Sequence, residues 1–239
     1  MSEGPGINNF MDSIMNEGRI FGVMVGIVIH NDSANHADQP GPGRVKVKIP
    51  LMGMQESNWA RMASWMAGKG RGAFCLPEVE DEVLVAFENG DVNRPYVIGS
   101  LWNGKDVPPE TNKDGKNNIR LFKSRSGHVL QFADTQGEES ITLTSAKGHV
   151  IRLDDKGGAE QIRITDKSGK NRIILDTKAN KVTVSSGAEL EITAGGKLSL
   201  SAKSIEMKSA SGTLIESKAG MDIKAAASMK LKGAAIDLN

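Results

Sequence analysis

A single cysteine, Cys75, occurs in 239 residues, so no intrachain disulfide can staple the fold. Set in Gly-Ala-Phe-Cys-Leu-Pro, it reads as a small buried hydrophobe; a nucleophilic thiol would want a histidine close by. Aromatics make up only 4% of the chain, and none follows Phe132. No run of 18 apolar residues exists, which excludes an apolar membrane-spanning helix. The N-terminus is polar and acidic and lacks the apolar core of a signal peptide, so the expected site of synthesis and folding is the cytoplasm. Charge of one sign is also scarce. The net charge is +1, with 11 basic and 15 acidic residues up to residue 117 and a mild basic excess after it. That balance gives no case for a nucleic-acid partner. Apolar residues reach only 38%, low for an enzyme core, whereas 27 glycines suit an all-β chain rich in turns.

A repeat fills the last quarter. Apolar pairs separated by one residue recur at Val182/Val184, Leu190/Ile192, Leu198/Leu200, Ile205/Met207, Thr213/Ile215, Met221/Ile223, Met229/Leu231 and Ile236/Leu238. The pairs start 8, 8, 7, 8, 8, 8 and 7 residues apart. Residues i and i+2 share one face of a strand, and Gly, Ser, Ala and Lys between the pairs supply bends. Fixed spacing of a strand-plus-turn unit is a solenoid signature. Each unit buries only two mid-sized aliphatics, too little for one chain to coil around a core of its own. Several copies winding together solve this, so the residues imply a homo-oligomeric β-prism without fixing the number of copies.

Residues 1–19 are polar, with a short amphipathic stretch on Phe10, Met11, Ile14 and Met15; they read either as a loose tail or as a docking segment. Residues 20–105 carry five strand candidates, at Phe21–Ile29, Gly43–Pro50, Trp59–Met66, Asp81–Phe87 and Arg94–Leu101, which suggest a small closed barrel. Residues 106–118 form a polar linker with two prolines. From there to residue 181 the pairs Ile119/Leu121, Leu130/Phe132, Ile141/Leu143, Ile151/Leu153, Ile162/Ile164 and Ile173/Leu175 recur every 10 or 11 residues. This is a wider base that tapers into the octads of 182–239.

The stretch Glu80-Asp-Glu-Val-Leu-Val-Ala-Phe-Glu-Asn-Gly-Asp91, followed by Asn93-Arg-Pro-Tyr-Val-Ile-Gly-Ser-Leu-Trp-Asn103, resembles the end of the oligonucleotide/oligosaccharide-binding (OB) domain of contractile-tail spike proteins. These are the phage baseplate protein V family and the VgrG-type spikes of type VI secretion. Gly43–Pro50 resembles the second strand of that domain, and the octads resemble the trimeric β-helix that follows it. The resemblance covers roughly residues 20–239. It implies an all-β protein, an N-terminal five-stranded OB-fold barrel followed by an intertwined trimeric β-helix or β-prism shaft. It also implies a structural, non-catalytic role: the membrane-puncturing central spike of a contractile phage tail or phage-like injection particle. The partners implied are two further copies, a trimeric baseplate hub protein at the N-terminal and OB end, and the target membrane on ejection. Three departures stand out. No lysozyme domain separates barrel from shaft, only about twenty residues precede the barrel, and the His-x-His metal tip of short phage spikes is missing. A PAAR-repeat tip protein is therefore expected on Ala234, Ala235, Ile236, Asp237, Leu238 and Asn239.

Other motifs favour plainer readings. Gly68-Lys-Gly-Arg-Gly72 lacks the spacing of a phosphate-binding loop and reads as a flexible connection. His30, Asp32, His36 and Asp38 lie in a loop without the rigid frame a metal needs. Glu78, Glu80, Asp81 and Glu82 read as a solvated acidic loop. Trp59, Trp65, Tyr96 and Trp102 would have to stack bases beside a net acidic surface; barrel core or a protein partner suits them better. No catalytic residue, cofactor or metal is assigned. The rival readings are an OB-fold binding module for oligosaccharide or single-stranded nucleic acid on a β-helical stalk, and a polysaccharide-degrading β-helix. Against the latter, the octads' acids (Glu189, Glu191, Glu206, Glu216, Asp222) are scattered and matched by lysines.

Overall fold

The computed structural model describes residues 19–38 and 40–237. The chain divides into two compact units, one up to Gly187 and one from Ala188 on. The first begins with strands β1 (Val23–His30), β2 (Arg44–Ile49), β3 (Gln55–Glu56), β4 (Ala60–Met62), β5 (Ala67–Gly68), β6 (Arg71–Gly72), β7 (Glu82–Phe87) and β8 (Pro95–Leu101). Alternation decides which side of each strand is buried. In β2 and β7 every second residue is buried, namely Val45, Val47 and Ile49, then Val83, Val85 and Phe87. The strands follow the order β1-β7-β8-β4-β2, and a β1–β2 pairing closes the ring. Among the described strands only β4–β8 is a parallel pair. The result is a five-stranded barrel, with β3 added on β2.

The barrel core is aliphatic, built on Val28, Val45, Val47, Val83, Val85 and Val97, with Phe87 its one aromatic. Gly26 points inward between β7 and β2, where a Cβ would lie 3.0 Å from Val85 Cγ2 and 3.2 Å from Val47. The wall closes there because no side chain occupies that position. The expected strand Trp59–Met66 is shorter, ending at Met62. Gly68–Gly72 is no loose connection. It forms a hairpin of β5 and β6, with Ala67 opposite Gly72 and Gly68 opposite Arg71.

Seven further strands make an antiparallel meander: β9 (Ile119–Lys123), β10 (Val129–Ala133), β11 (Ser140–Thr144), β12 (Val150–Asp154), β13 (Gln161–Thr165), β14 (Arg172–Asp176) and β15 (Lys181–Ser185). Each is five residues long, and each from β10 on pairs with the strand before it in sequence. The first octad pair, Val182/Val184, is the last rung of this sheet, opposite Leu175 and Ile173. Two turns share one chemistry. At Ser124–His128 and Ser145–His149 the serine N–H donates to the histidine carbonyl at 2.9 Å, and the serine Oγ accepts the histidine N–H at 3.0 Å. Gly127 and Gly148 complete them at positive φ (92° and 88°), which a glycine adopts without strain.

From Ala188 to Asp237 the described residues form neither strand nor helix. Local Ser-x-x-Gly corners hold it: the Ser209 hydroxyl donates to the Gly212 carbonyl at 2.5 Å, and Ser217 to Gly220 at 2.8 Å. No helix among the described residues is long and apolar enough to cross a membrane.

Candidate interaction surface

Residues directly opposite across an antiparallel ladder share a face of the sheet. Leu130 and Phe132 face Leu143 and Ile141; these face Ile151 and Leu153, then Ile164 and Ile162, then Ile173 and Leu175, then Val184 and Val182. The expected pairs thus form one apolar ladder on one face. Ile119/Leu121 is the exception. The turn Ser124–His128 closes on Lys123 opposite Val129, which sets Phe122 across from Leu130 and turns Ile119 and Leu121 to the other face, across from Ala133 and Gln131. Phe122 is therefore the ladder's first residue.

Among the described residues, only Trp65, against Phe122, is seen to pack on this ladder from outside the sheet. From Ile141 to Leu175 its side chains remain 39–48% exposed, and Val182 reaches 67%. The opposite face is better shielded although it is polar. Ser140 is buried there, and Asp154 is 9% exposed. Arg152 Nε lies 2.9 Å from the Asp154 carboxylate and Arg163 Nη2 lies 3.8 Å from it. Burial works to raise the pKa of that carboxyl, but the Arg152 hydrogen bond and charge, the Lys156 N–H and the Arg163 charge outweigh it and hold the group below its ordinary range. A sheet that shields its ion pair and bares its aliphatics presents an apolar patch of the kind that marks interaction sites.

The remaining expected shaft residues lie in the second unit, on chain with no strand pairing of its own. Leu190, Ile192, Leu198, Leu200, Ile205, Met207, Ile215, Met221, Ile223, Met229, Leu231 and Ile236 are all exposed there. Of the expected tip contacts, Ala234, Ala235, Ile236 and Asp237 are described and exposed, while Leu238 and Asn239 lie outside the described residues. The possible docking segment, 1–19, also lies outside them except for Arg19, which forms an antiparallel bridge with Asp91.

The other motifs have partners of their own. His36 stacks edge-on between His30 and Trp59, with ring centroids 5.1 and 4.9 Å away. Asp38 is held by Lys46 at 3.0 Å and by the Trp59 N–H at 3.2 Å, which keep its carboxyl below the usual range. Among the described residues, no group of three or more His, Cys, Asp or Glu side chains is placed to hold a metal. Glu78 receives both its contacts from Arg125 Nη1, at 3.0 and 2.9 Å, which tie the turn after β9 to the barrel. None of the four singled-out aromatics enters the core: Trp59 and Tyr96 are half-buried, Trp65 and Trp102 exposed. Cys75, expected to be buried, is exposed. Sequence reasoning missed the contact of Trp65 with Phe122, whose ring centroids lie 5.5 Å apart. Its one signal was Phe122 itself, an aromatic out of phase with Ile119/Leu121.

Residues 24–102 match the family model of the type VI secretion system/phage-baseplate injector OB domain. The type VI secretion system spike protein VgrG3 of Vibrio cholerae is 32% identical over 114 residues, which are 44% of this chain and 11% of that protein. The spike protein VgrG5 of Pseudomonas aeruginosa is 32% identical over 114 residues, 44% of this chain and 14% of that protein. The actin cross-linking toxin VgrG1 of Vibrio cholerae is 31% identical over 114 residues, 44% of this chain and 10% of that protein. The chain thus spans only 10–14% of the length of these relatives.

Proposed function

We propose, from the premise that residues 24–102 are an injector OB domain of the phage-baseplate and type VI secretion spike family, that this chain is a structural spike subunit of a contractile injection particle. The observation that carries the proposal is the uncovered apolar ladder from Phe122 to Val184, in a chain whose following octads have no core of their own. Three copies would close their ladders on one another over residues 119–181 and wind their octads together over 182–239. The OB barrels, 20–105, would sit in the hub, and the linker 106–118 would join them to the shaft. The role is mechanical. Stiffness would come from a dry aliphatic core with strand hydrogen bonds between copies, which a lone hairpin does not have. Force supplied by a contracting sheath would pass along that shaft to a target membrane, with no bond made or broken by the spike. A PAAR-repeat tip on Ala234–Asn239, a trimeric hub protein at the other end and assembly in the bacterial cytoplasm belong to the same proposal.

The number of copies tests it. Native mass measurement of the full chain should give three times 25.5 kDa. A folded monomer at micromolar concentration would overturn the reading, since its ladder would then stand in water. The rival, an oligosaccharide- or nucleic-acid-binding barrel, gains nothing from the aromatics, whose exposed members Trp65 and Trp102 do not gather on one barrel strand.

A further inference from the structure

The arm from Ala63 to Leu76 is the part of the barrel that the shaft reading leaves unexplained. It carries the β5–β6 hairpin and exposes Trp65 at 83% and Phe74 at 76%, with Met66 beside them. In a chain with 4% aromatics this concentration has a cause. Its shape is set in advance. The Ala73 N–H donates to the Met66 carbonyl at 2.9 Å, and the Ser64 hydroxyl to the Ala73 carbonyl at 2.8 Å. Gly72 has φ +153°, and a Cβ there would lie 2.6 Å from the Met66 carbonyl oxygen, so only glycine fits. A groove of about 830 Å³ runs along the arm from Pro42 and Met62 to Phe122, and Cys75 lines it. Between Asn58 and Pro77 the sequence has no carboxylate, and its Lys69 and Arg71 sit at the hairpin tip.

The arm is continuous with the apolar ladder. Trp65 touches Phe122, the ladder's first residue, and Glu78 just beyond the arm grips Arg125 in the turn after β9. A prism made of apolar faces has an open end at its first rung, where Phe122, still 55% exposed beside Trp65, stands across from Leu130. We infer that the arm is a clasp between copies of this chain: Trp65 stays against Phe122 of its own copy, and the faces of Trp65, Met66 and Phe74 that remain exposed cover the first ladder rung of the next copy and seal the barrel end of the apolar core. The inference rests on the self-association proposed above. Its occupant is a second copy because the surface that the arm extends, through Phe122, is the one those copies cover. Pre-organised aromatics suit that task, since little ordering entropy is lost when they dock.

Cys75 is the chain's one cysteine and exposed in the single copy, so it reports on the arm without any substitution. The experiment measures its reaction with an aromatic disulfide reagent in the native full-length oligomer and in the unfolded chain. Burial against a neighbouring copy should slow the reaction about tenfold or more. The double variant Trp65→Ala/Phe74→Ala should remain an oligomer through its ladder and regain most of the lost reactivity. An oligomer whose Cys75 reacts as fast as the unfolded chain overturns the clasp alone, and the arm is then left bare for a different protein. Protection that the double variant does not change also overturns it. A wild-type monomer overturns the shaft reading and the clasp with it.

Discussion

Leu153→Asp places a carboxylate in the middle of the ladder. Leu153 stands in the fourth strand of seven, with Ile141 and Ile162 directly across from it on either side. In one copy it is already mostly covered by its own sheet and remains 39% exposed. Closing the ladder against other copies removes that remainder, about 1 kcal/mol per copy on the scale of full leucine burial. The substitution forfeits this and adds a charge that cannot be solvated, at a cost of several kcal/mol per ion. Three copies would set three such charges at one level, so the loss per trimer reaches about 10 kcal/mol or more, against about 1.4 kcal/mol for each tenfold change in an equilibrium constant. The matched control is Thr142→Asp, on the opposite face of the adjacent strand and across from Arg152. An acid there meets a cation and solvent, and should shift stability by no more than about 0.5 kcal/mol. Sedimentation and thermal melting of both variants, at micromolar concentration, should show Leu153→Asp dissociated or strongly destabilised and Thr142→Asp like the wild type. Equal mass and equal melting for the two would refute the argument, because a ladder that stays in water tolerates a carboxylate.

Gly26→Val should unfold the barrel more readily, by about 1–3 kcal/mol, since its branches would collide with Val85 and Val47; denaturant melting checks this against Val25→Ala, whose side chain points outward. Asp154 predicts an acid-sensitive sheet. Its carboxyl pKa is depressed in the folded chain, so it stabilises the fold above the unfolded value, about 3.9, and that contribution is lost as the pH falls through the folded value. Asp154→Asn should cost about 1.5–3 kcal/mol at neutral pH, and the gap to wild type should narrow below about pH 4; a gap that persists unchanged to pH 2 would contradict the assignment.

The barrel was legible in the sequence wherever a strand is half in and half out. Arg44–Ile49 alternates because one side meets the core and the other meets water, and that alternation names Val45, Val47 and Ile49 directly; Glu82–Phe87, apolar on both sides from Val83 on, located a strand without naming its buried side. Pair spacing likewise located most of the ladder. Its phase at the start was not legible, because the register of a hairpin belongs to its turn. Ile119/Leu121 fits the spacing as well as any pair, and only the closure of Ser124–His128 shows that Phe122 takes the ladder position. Of the two places expected for the aromatics, core or partner face, the core is excluded for a different reason. Size suggests a core, but a five-stranded barrel narrowed to admit Gly26 has room for valines and one Phe87, and the tryptophans are left outside. The hairpin at Gly68–Gly72 hid behind its glycines, which read as looseness and in fact permit a tight reversal.

The two lengths of repeat explain why one part of the chain pairs with itself and the next does not. A unit of 10 or 11 residues holds a five-residue strand and a turn of five or six, long enough to reverse the chain. Those turns carry a residue at positive φ where the reversal needs one: Gly127, Gly137, Gly148, Gly158 and Gly169, and Asn180 in the shorter last turn. An octad that kept five-residue strands would leave two or three residues for the same task, and loops that short demand glycine, asparagine or aspartate. Between the third pair and the seventh, the residues midway between successive pairs are Ala202-Lys203, Ser209-Ala-Ser211, Ser217-Lys-Ala219 and Ala225-Ala-Ala227, none of them glycine, asparagine or aspartate; of the gaps after the third pair, only the last centres on a glycine, Gly233. The octad glycines stand later, at Gly212 and Gly220, where the Ser209 and Ser217 hydroxyls hold bends rather than hairpins. Such a chain runs onward instead of folding back. Beyond such corners the described backbone of this segment has no strand pairing in one copy, and a buried core requires that its N–H and C=O groups be paired. In the proposed shaft, strands of other copies running alongside would supply those partners, and the bare octad segment of one copy would become a paired one.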